Sequence, residues 1–322
     1  MKKLLTYLVA GAMLAGSCTD KNVVEDEAIA DVVSYRACAA QEVLDAQLAA
    51  DPKLRERLEN IEAHTRAAIE SGRVNALGQI VIPVVVNVIY RTAQENISDS
   101  QIQSQIDVLN EDFSATNADL SKTPSQFSSA IGNMGIHFEL AQVVRKYSNK
   151  RSWKTNDDMK KSNKGGINPT SPTTHLNIWV VNRMTSGNST ILGYAQFPGG
   201  NPATDGVVVG YNFFGRTGTL SAPFNKGRTA THEVGHWLNL RHIWGDTNCG
   251  NDLVSDTPQH NTYNFGCPSF PHYSTCSGRP LEMTMNYMDY TDDACMYMFT
   301  NGQKNRSLAV FAPGGPRAAF AQ

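Results

Sequence analysis

The sequence predicts an α+β fold: a twisted mixed β-sheet with a backing helix, a loop-rich C-terminal subdomain after it, and a helical N-terminal segment before it. Three observations predict this. IVIPVVVNVIY at 80–90 is a β-branched run that reads as a buried strand. Shortly after it, Ile102, Ile106, Leu109 and Phe113 recur at helical spacing. Beyond Gly245, prolines fall at Pro258, Pro268, Pro271 and Pro280 among four cysteines, a composition in which disulfides substitute for regular structure.

The elements follow in order. Residues 1–17 carry Lys2 and Lys3, an apolar run from Leu4 to Leu14 and then small residues up to Cys18, the pattern of an export signal. It also resembles a bacterial lipoprotein signal, with Ala15 where leucine is usual and Cys18 as the residue that would carry lipid. Residues 18–72 divide into an acidic, aperiodic tether and a helical stretch from Glu42 to Ile69, with Leu54, Leu58 and Ile61 at helical spacing. SGRVNALGQ at 71–79 is the clearest linker. The main domain then runs over 73–306. Ser98 or Ser100 caps its backing helix, and IHFELAQV, HLNIWVV, ILGYAQFP and GVVVGYNFF supply further strands. Residues 307–322 read as a tail, and the chain has no internal repeat.

Function is written most densely in THEVGHWLNLRHIWGD at 231–246, which holds three of the eight histidines. On a helix, His232 and His236 lie four residues apart on one face, placed to share a metal ion. Glu233 beside them is placed to take a proton from water without being a ligand. His242 reaches the same ion only if the helix ends between His236 and His242. Asn239 stands at that point, and asparagine tolerates the left-handed conformation that ends helices. Val234, Trp237, Leu238 and Leu240 are core.

HExxHxxNxxH resembles the metzincin zinc motif with asparagine in place of glycine, and NYMDY at 286–290 resembles the metzincin Met-turn. The continuation HIWGD, DTP and MNYMDYTDDACMYMFT is most similar to the pappalysin family, especially its bacterial and archaeal ulilysin-like and mirolysin-like members. The resemblance covers about residues 34–306. It implies a metzincin-like catalytic domain in which His232, His236 and His242 bind zinc, Glu233 is the general base, Met288 is an apolar floor and Tyr290 steadies the oxyanion. It also implies a latent precursor in which Cys38 caps the zinc.

In an exported chain, Cys249, Cys267, Cys276 and Cys295 are disulfide candidates with three pairings open, of which the resemblance implies Cys249–Cys276 and Cys267–Cys295. A structural zinc on these cysteines lacks any CxxC pair. Asp252 and Asp256, with backbone oxygens such as those of Val254 and Thr257, suit calcium, which the resembled family carries in this region. A net charge of −2 gives no electrostatic case for nucleic acid, and a membrane enters only through lipid on Cys18.

The expected function is an exported zinc endopeptidase acting on proteins or peptides. The rival readings are a zinc-capturing surface lipoprotein, which needs neither Glu233 nor Tyr290, and a zinc amidase of cell-wall peptides, which lacks the Met-turn. The resemblance further implies cleavage before Arg or Lys, with maturation between Gly72 and Arg73. Asp292 and Asp293 are then the carboxylates available to line the pocket, although Met296 nearby would make that wall apolar.

Overall fold

A computed structural model describes residues 33, 35–187 and 189–321. The expected export signal, Cys18 and most of the tether lie outside these residues. Among the described residues no helix is long and apolar enough to cross a membrane.

The N-terminal helical stretch is two helices, α1 (Ala40–Ala50) and α2 (Leu54–Glu70). Asp51 and Pro52 separate them, because proline disfavours a helical conformation in the residue before it. The linker is partly folded. Gly72 takes a left-handed conformation, Arg73–Ala76 forms a 3₁₀ turn, and Val74 is buried in the main core.

Strand β1 (Ile80–Tyr90) runs through the core and pairs in parallel with β2 (Ile136–Tyr147) on one side and β4 (Leu176–Val181) on the other. Its Pro83 lies just outside the β4 register, which begins at Val84, so the missing N–H interrupts no bond to β4. Helix α3 (Asp99–Phe113) crosses behind the sheet with Ile102, Ile106, Leu109 and Phe113 buried, and Ser98 accepts the capping bond from Gln101 N. The five-stranded sheet has the order β2-β1-β4-β8-β7. In it, β8 (Val207–Gly210) is parallel to β4, and β7 (Gly193–Ala195) is an antiparallel edge. Three short strands, β3 (Ser152–Lys154), β5 (Arg183–Ser186) and β6 (Ser189–Ile191), form a second sheet. The expected strand ILGYAQFP is thus divided between β6 and β7, and GVVVGYNFF turns into a 3₁₀ helix at Tyr211.

After helix α4 (Arg228–Trp237) the chain is irregular up to α5 (Asn301–Ala309), and disulfides join Cys249 to Cys276 and Cys267 to Cys295, the pairing the resemblance implied. Of residues 307–322, expected as a tail, the described ones pack into the core instead. Leu308, Val310, Phe311 and Phe320 are buried in it. Arg317 lies over the Trp237 ring at 3.7 Å, donates to Trp237 O at 2.9 Å, and forms a two-point bridge to Asp205 at 2.6 and 3.0 Å. The segment therefore holds the end of α4 against the sheet. Removing one partner of a buried pair leaves the other uncompensated, so Arg317→Ala should cost about 3–5 kcal/mol in denaturant unfolding. A loss under about 0.5 kcal/mol would show that the segment is dispensable.

Candidate metal centre and active site

Every residue of α4 is buried, and its two histidines face the C-terminal loops. The helix stops because Asn239 adopts φ 73°, letting Leu240 N fold back onto Gly235 O at 2.9 Å. That reversal returns His242 to the helix. His236 Nε2 then lies 3.2 Å from His232 Nε2 and 3.1 Å from His242 Nε2.

The other ring nitrogens explain this convergence. His232 Nδ1 faces Tyr287 O at 2.7 Å, His236 Nδ1 faces Leu240 O at 2.8 Å, and His242 Nδ1 is bonded to the Asp246 carboxylate. These partners only accept, so each Nδ1 carries the proton. Burial and the neighbouring imidazoles push His232 well down and His236 down to about 3, so those two rings are neutral. The Nε2 atoms of His232 and His236 therefore present lone pairs, and with His242 Nε2 beside them the three ring nitrogens converge on one point. The Cys38 sulfur joins the same group, and its ligand atoms all lie within 4.8 Å of one another. Three imidazoles and a thiol form a donor set that fits zinc.

Cys38 comes from far upstream. Residues 36–40 run along the sheet edge beside β7: Leu192 N donates to Ala37 O at 2.9 Å, and Ala39 N donates to Gly193 O at 3.2 Å. The Cys38 thiol donates to Glu233 Oε2 at 3.3 Å, and the Tyr290 hydroxyl donates to Cys38 O at 3.1 Å. Loss of hydration and the adjacent Glu233 charge push the thiol up, and burial pushes Glu233 up to about 8. The thiolate and ionised Glu233 are the forms that a divalent cation favours.

Two glycines make room for this site. A Cβ on Gly193 would meet the Glu233 side chain and Val208 O at 2.9 Å, and one on Gly235 would meet Met288 Sδ at 2.5 Å. Met288 thus packs against the helix backbone between the two histidines' turns. Trp244 stacks on His242 at 4.3 Å with rings 7° from parallel. Spacing alone exposes no signal for Gly193, Gly235 or Trp244.

Comparisons with known proteins cover the segment that holds these residues. Residues 167–312 match the family described as Pregnancy-associated plasma protein-A. An extracellular metalloprotease of Arthroderma benhamiae is 31% identical over 254 residues, covering 76% of this chain and 82% of the relative. The chain belongs to the pappalysin family of metzincin metalloendopeptidases. Among solved structures, mature mirolysin of Tannerella forsythia in complex with a cleaved peptide is 47% identical at a TM-score of 0.72, covering 76% of this pappalysin and 96% of that chain. A promirolysin variant from Tannerella forsythia is 42% identical at 0.79, covering 88% and 97%. The larger overlap with the proenzyme accords with a prosegment at the N-terminal end of this pappalysin.

The acidic residues expected to line a pocket or hold calcium have specific partners. Asp293 is 0% exposed and pairs with Arg36, itself 1% exposed, at 2.6 Å. Its second oxygen accepts from Lys226 N at 2.7 Å and Arg228 N at 3.3 Å, at the start of α4. Arg36 also donates to Thr291 O and Thr229 Oγ1. Asp292 is half-buried beside it, and Met296 is turned into the core. Asp252 accepts from Val254 N and Thr257 Oγ1 of its own loop, while Asp256 accepts from Thr300 Oγ1 and Gly302 N at the head of α5. Asp252 and Asp256 thus tie their loop to itself and to the head of α5.

The packing of Met288 on α4 is testable by coupling. Gly235→Ala should cost about 1–3 kcal/mol by overpacking, and adding Met288→Ala should recover part of it, giving a double variant more stable than the sum of the singles. Strict additivity in thermal unfolding would separate the two residues.

Proposed function

We propose that this chain is an exported zinc endopeptidase made as a latent precursor, in which Cys38 occupies the fourth position of a centre formed by His232, His236 and His242. The observation that carries this reading is the arrival of Cys38 from a separate segment within 4.8 Å of three converging imidazole nitrogens. Export accords with the N-terminal pattern and with relatives named as extracellular proteases. Lipid on Cys18 would tether the enzyme to a membrane surface, and without it the enzyme is secreted.

Zinc held there supplies Lewis acidity to the scissile carbonyl and makes water more acidic. With the prosegment gone, Glu233 takes the proton from the attacking water and delivers it to the leaving amine. Tyr290, released from Cys38 O, turns its hydroxyl to the developing oxyanion. Zinc capture without hydrolysis gives Glu233 and Tyr290 no task, and a cell-wall amidase gives none to Met288. The carboxylates of Asp252 and Asp256, with the backbone oxygens of Val254 and Thr257, enter this reading as the hard oxygen donors that a calcium ion would take.

Arg36 supports a preference for basic residues. It lies two residues from Cys38, with its guanidinium against Asp293 in a dry site, where a charged partner is needed. Asp293, with Asp292 at the rim, is therefore the carboxylate that would receive Arg or Lys on the carboxyl side of the cleaved bond. The cut that matures the chain falls in the linker, between Gly72 and Arg73.

Two experiments test these statements. The Cys38→Ala precursor should cleave casein without processing, whereas Glu233→Ala should fold and bind zinc yet lose about 10²- to 10⁴-fold in rate; a Cys38→Ala precursor as latent as the parent sinks the switch. Separately, new N-termini in a digested protein mixture should begin mainly with Arg or Lys, and Asp293→Asn should remove that bias. Aliphatic N-termini would refute the basic pocket and leave the zinc chemistry intact.

A further inference from the structure

Asn264 fastens a short loop to the floor of the molecule. Its N–H donates to Asp289 Oδ1 at 2.8 Å, and its Nδ2 donates to Glu282 Oε2 at 2.9 Å and Asp289 Oδ2 at 3.0 Å. Both carboxylates are buried, and Asp289 also receives the N–H of Tyr290. Two residues further on, Gly266 O accepts from Asp292 N, and the Cys267–Cys295 disulfide follows. The loop needs no aromatic contact to hold its course, yet the residues on either side of Asn264 are Tyr263 and Phe265, each 43% exposed.

These rings form a wall continuous with the active site. Phe265 and Tyr263 lie 4.7 Å apart, and Tyr263 stacks on Tyr290 at 5.6 Å and meets the edge of Trp244 at 5.6 Å. The outer end of the wall holds one ring from the N-terminal segment: Tyr35, 5.3 Å from Phe265. Register therefore reads outward from the metal centre, with Cys38 at the imidazoles, Arg36 against Asp293 and Tyr35 on Phe265. An extended chain directs neighbouring side chains to opposite sides, so Arg36 goes into the buried pocket while Tyr35 lies on the exposed wall.

We propose that Tyr263 and Phe265, backed by Tyr290, form a substrate subsite for an aromatic or large apolar side chain, immediately beyond the basic residue and further from the cleaved bond. This rests on the reading that the Arg36 segment lies in the cleft where substrate lies. Two flat rings, pinned from below and open to water above, are preorganised to cover such a side chain. A serine or glycine there leaves them wet.

The test uses the matured chain and four peptides that differ at two adjacent positions after the cleaved bond: Arg-Phe, Arg-Ser, Ala-Phe and Ala-Ser. In the parent, Phe should exceed Ser by about tenfold in kcat/KM, the scale of one aromatic contact with its buried area. In a Tyr263→Ser/Phe265→Ser variant the ratio should fall within about twofold while Arg stays favoured over Ala, and Phe265→Leu should keep most of it. A parent indifferent to Phe against Ser, or a double variant with the parent's ratio, overturns the subsite. Loss of the Arg preference in the parent overturns the Asp293 pocket instead, since each ratio is read with the other position fixed. A synthetic peptide of residues 33–44 gives a second readout. Its Tyr35→Ala form should inhibit about five- to tenfold less well, and equal inhibition would count against the wall.

Discussion

Three imidazole nitrogens aimed at one point are the constraint around which this molecule is arranged. Each ring is turned by an acceptor on its outer nitrogen, and the acceptors come from different stretches: Leu240 O beyond the helix end, Asp246 four residues after His242, and Tyr287 O in the Met-turn. Such outer partners set ring orientation and tautomer. The stretch from 240 to 300, whose regular structure is one 3₁₀ turn at Asp293–Cys295 and isolated bridges, must therefore hold its place by other means. Its two disulfides, the Arg228 bond to Met296 O at 2.7 Å, and the paired amides of Asn286 and Gln303 do so. Sheet and backing helix supply the rigid wall on the opposite side of α4.

The N-terminal segment uses this site much as a ligand would. It extends the sheet at the β7 edge with backbone bonds, the way extended peptides join exposed strands, and it places a thiol, a guanidinium and a phenol ring in succession. Its helices continue the grip elsewhere. Glu62 of α2 pairs with Arg306, and Arg306 also donates to Asn239 O at 2.7 Å, the carbonyl at the left-handed turn. One helix of the prosegment is thus bonded, through Arg306, to the residue that directs His242 back.

Much of this was legible in the sequence, and the limit is physical. Strand β1 and helix α3 declare themselves because burial repeats at a fixed period. The convergent histidines do so because three of them cluster in one short stretch, and Asn239 because few other residues accept its backbone angles. The proposed pocket could be narrowed only to two adjacent aspartates. What distinguishes Asp293 is Arg36, 257 residues away, and no local pattern encodes that pairing. The same holds for Tyr35 against Phe265. Strands of three or four residues such as β3 and β5 are too short for alternation to register. The apolar residues of 307–322 were visible, but apolarity without a period does not say where a segment docks. At Asp252 and Asp256, spacing alone could not separate a cation ligand from a turn-forming carboxylate.

The number of separate contacts bears on how latency would be lifted. An intact linker presents the prosegment to the cleft at an effective concentration of order millimolar. A cut after Gly72 removes that advantage and breaks none of the contacts of Cys38, Arg36, Tyr35 or Glu62. The freed segment would remain a bound inhibitor until dilution or further proteolysis removed it. Its exposed parts bear on the second route. Arg55, Glu56, Glu59 and Asn60 of α2 are exposed, whereas Arg36, Ala39 and Ala40 beside the cleft are buried. Proteolysis needs backbone that can leave its helix, and α1 and α2 bury only three residues each, so their opening is cheaper than that of the core. Release would therefore proceed most readily from the helices inward, with the Cys38 strand, held by both backbone pairing and buried charge, the last part to leave.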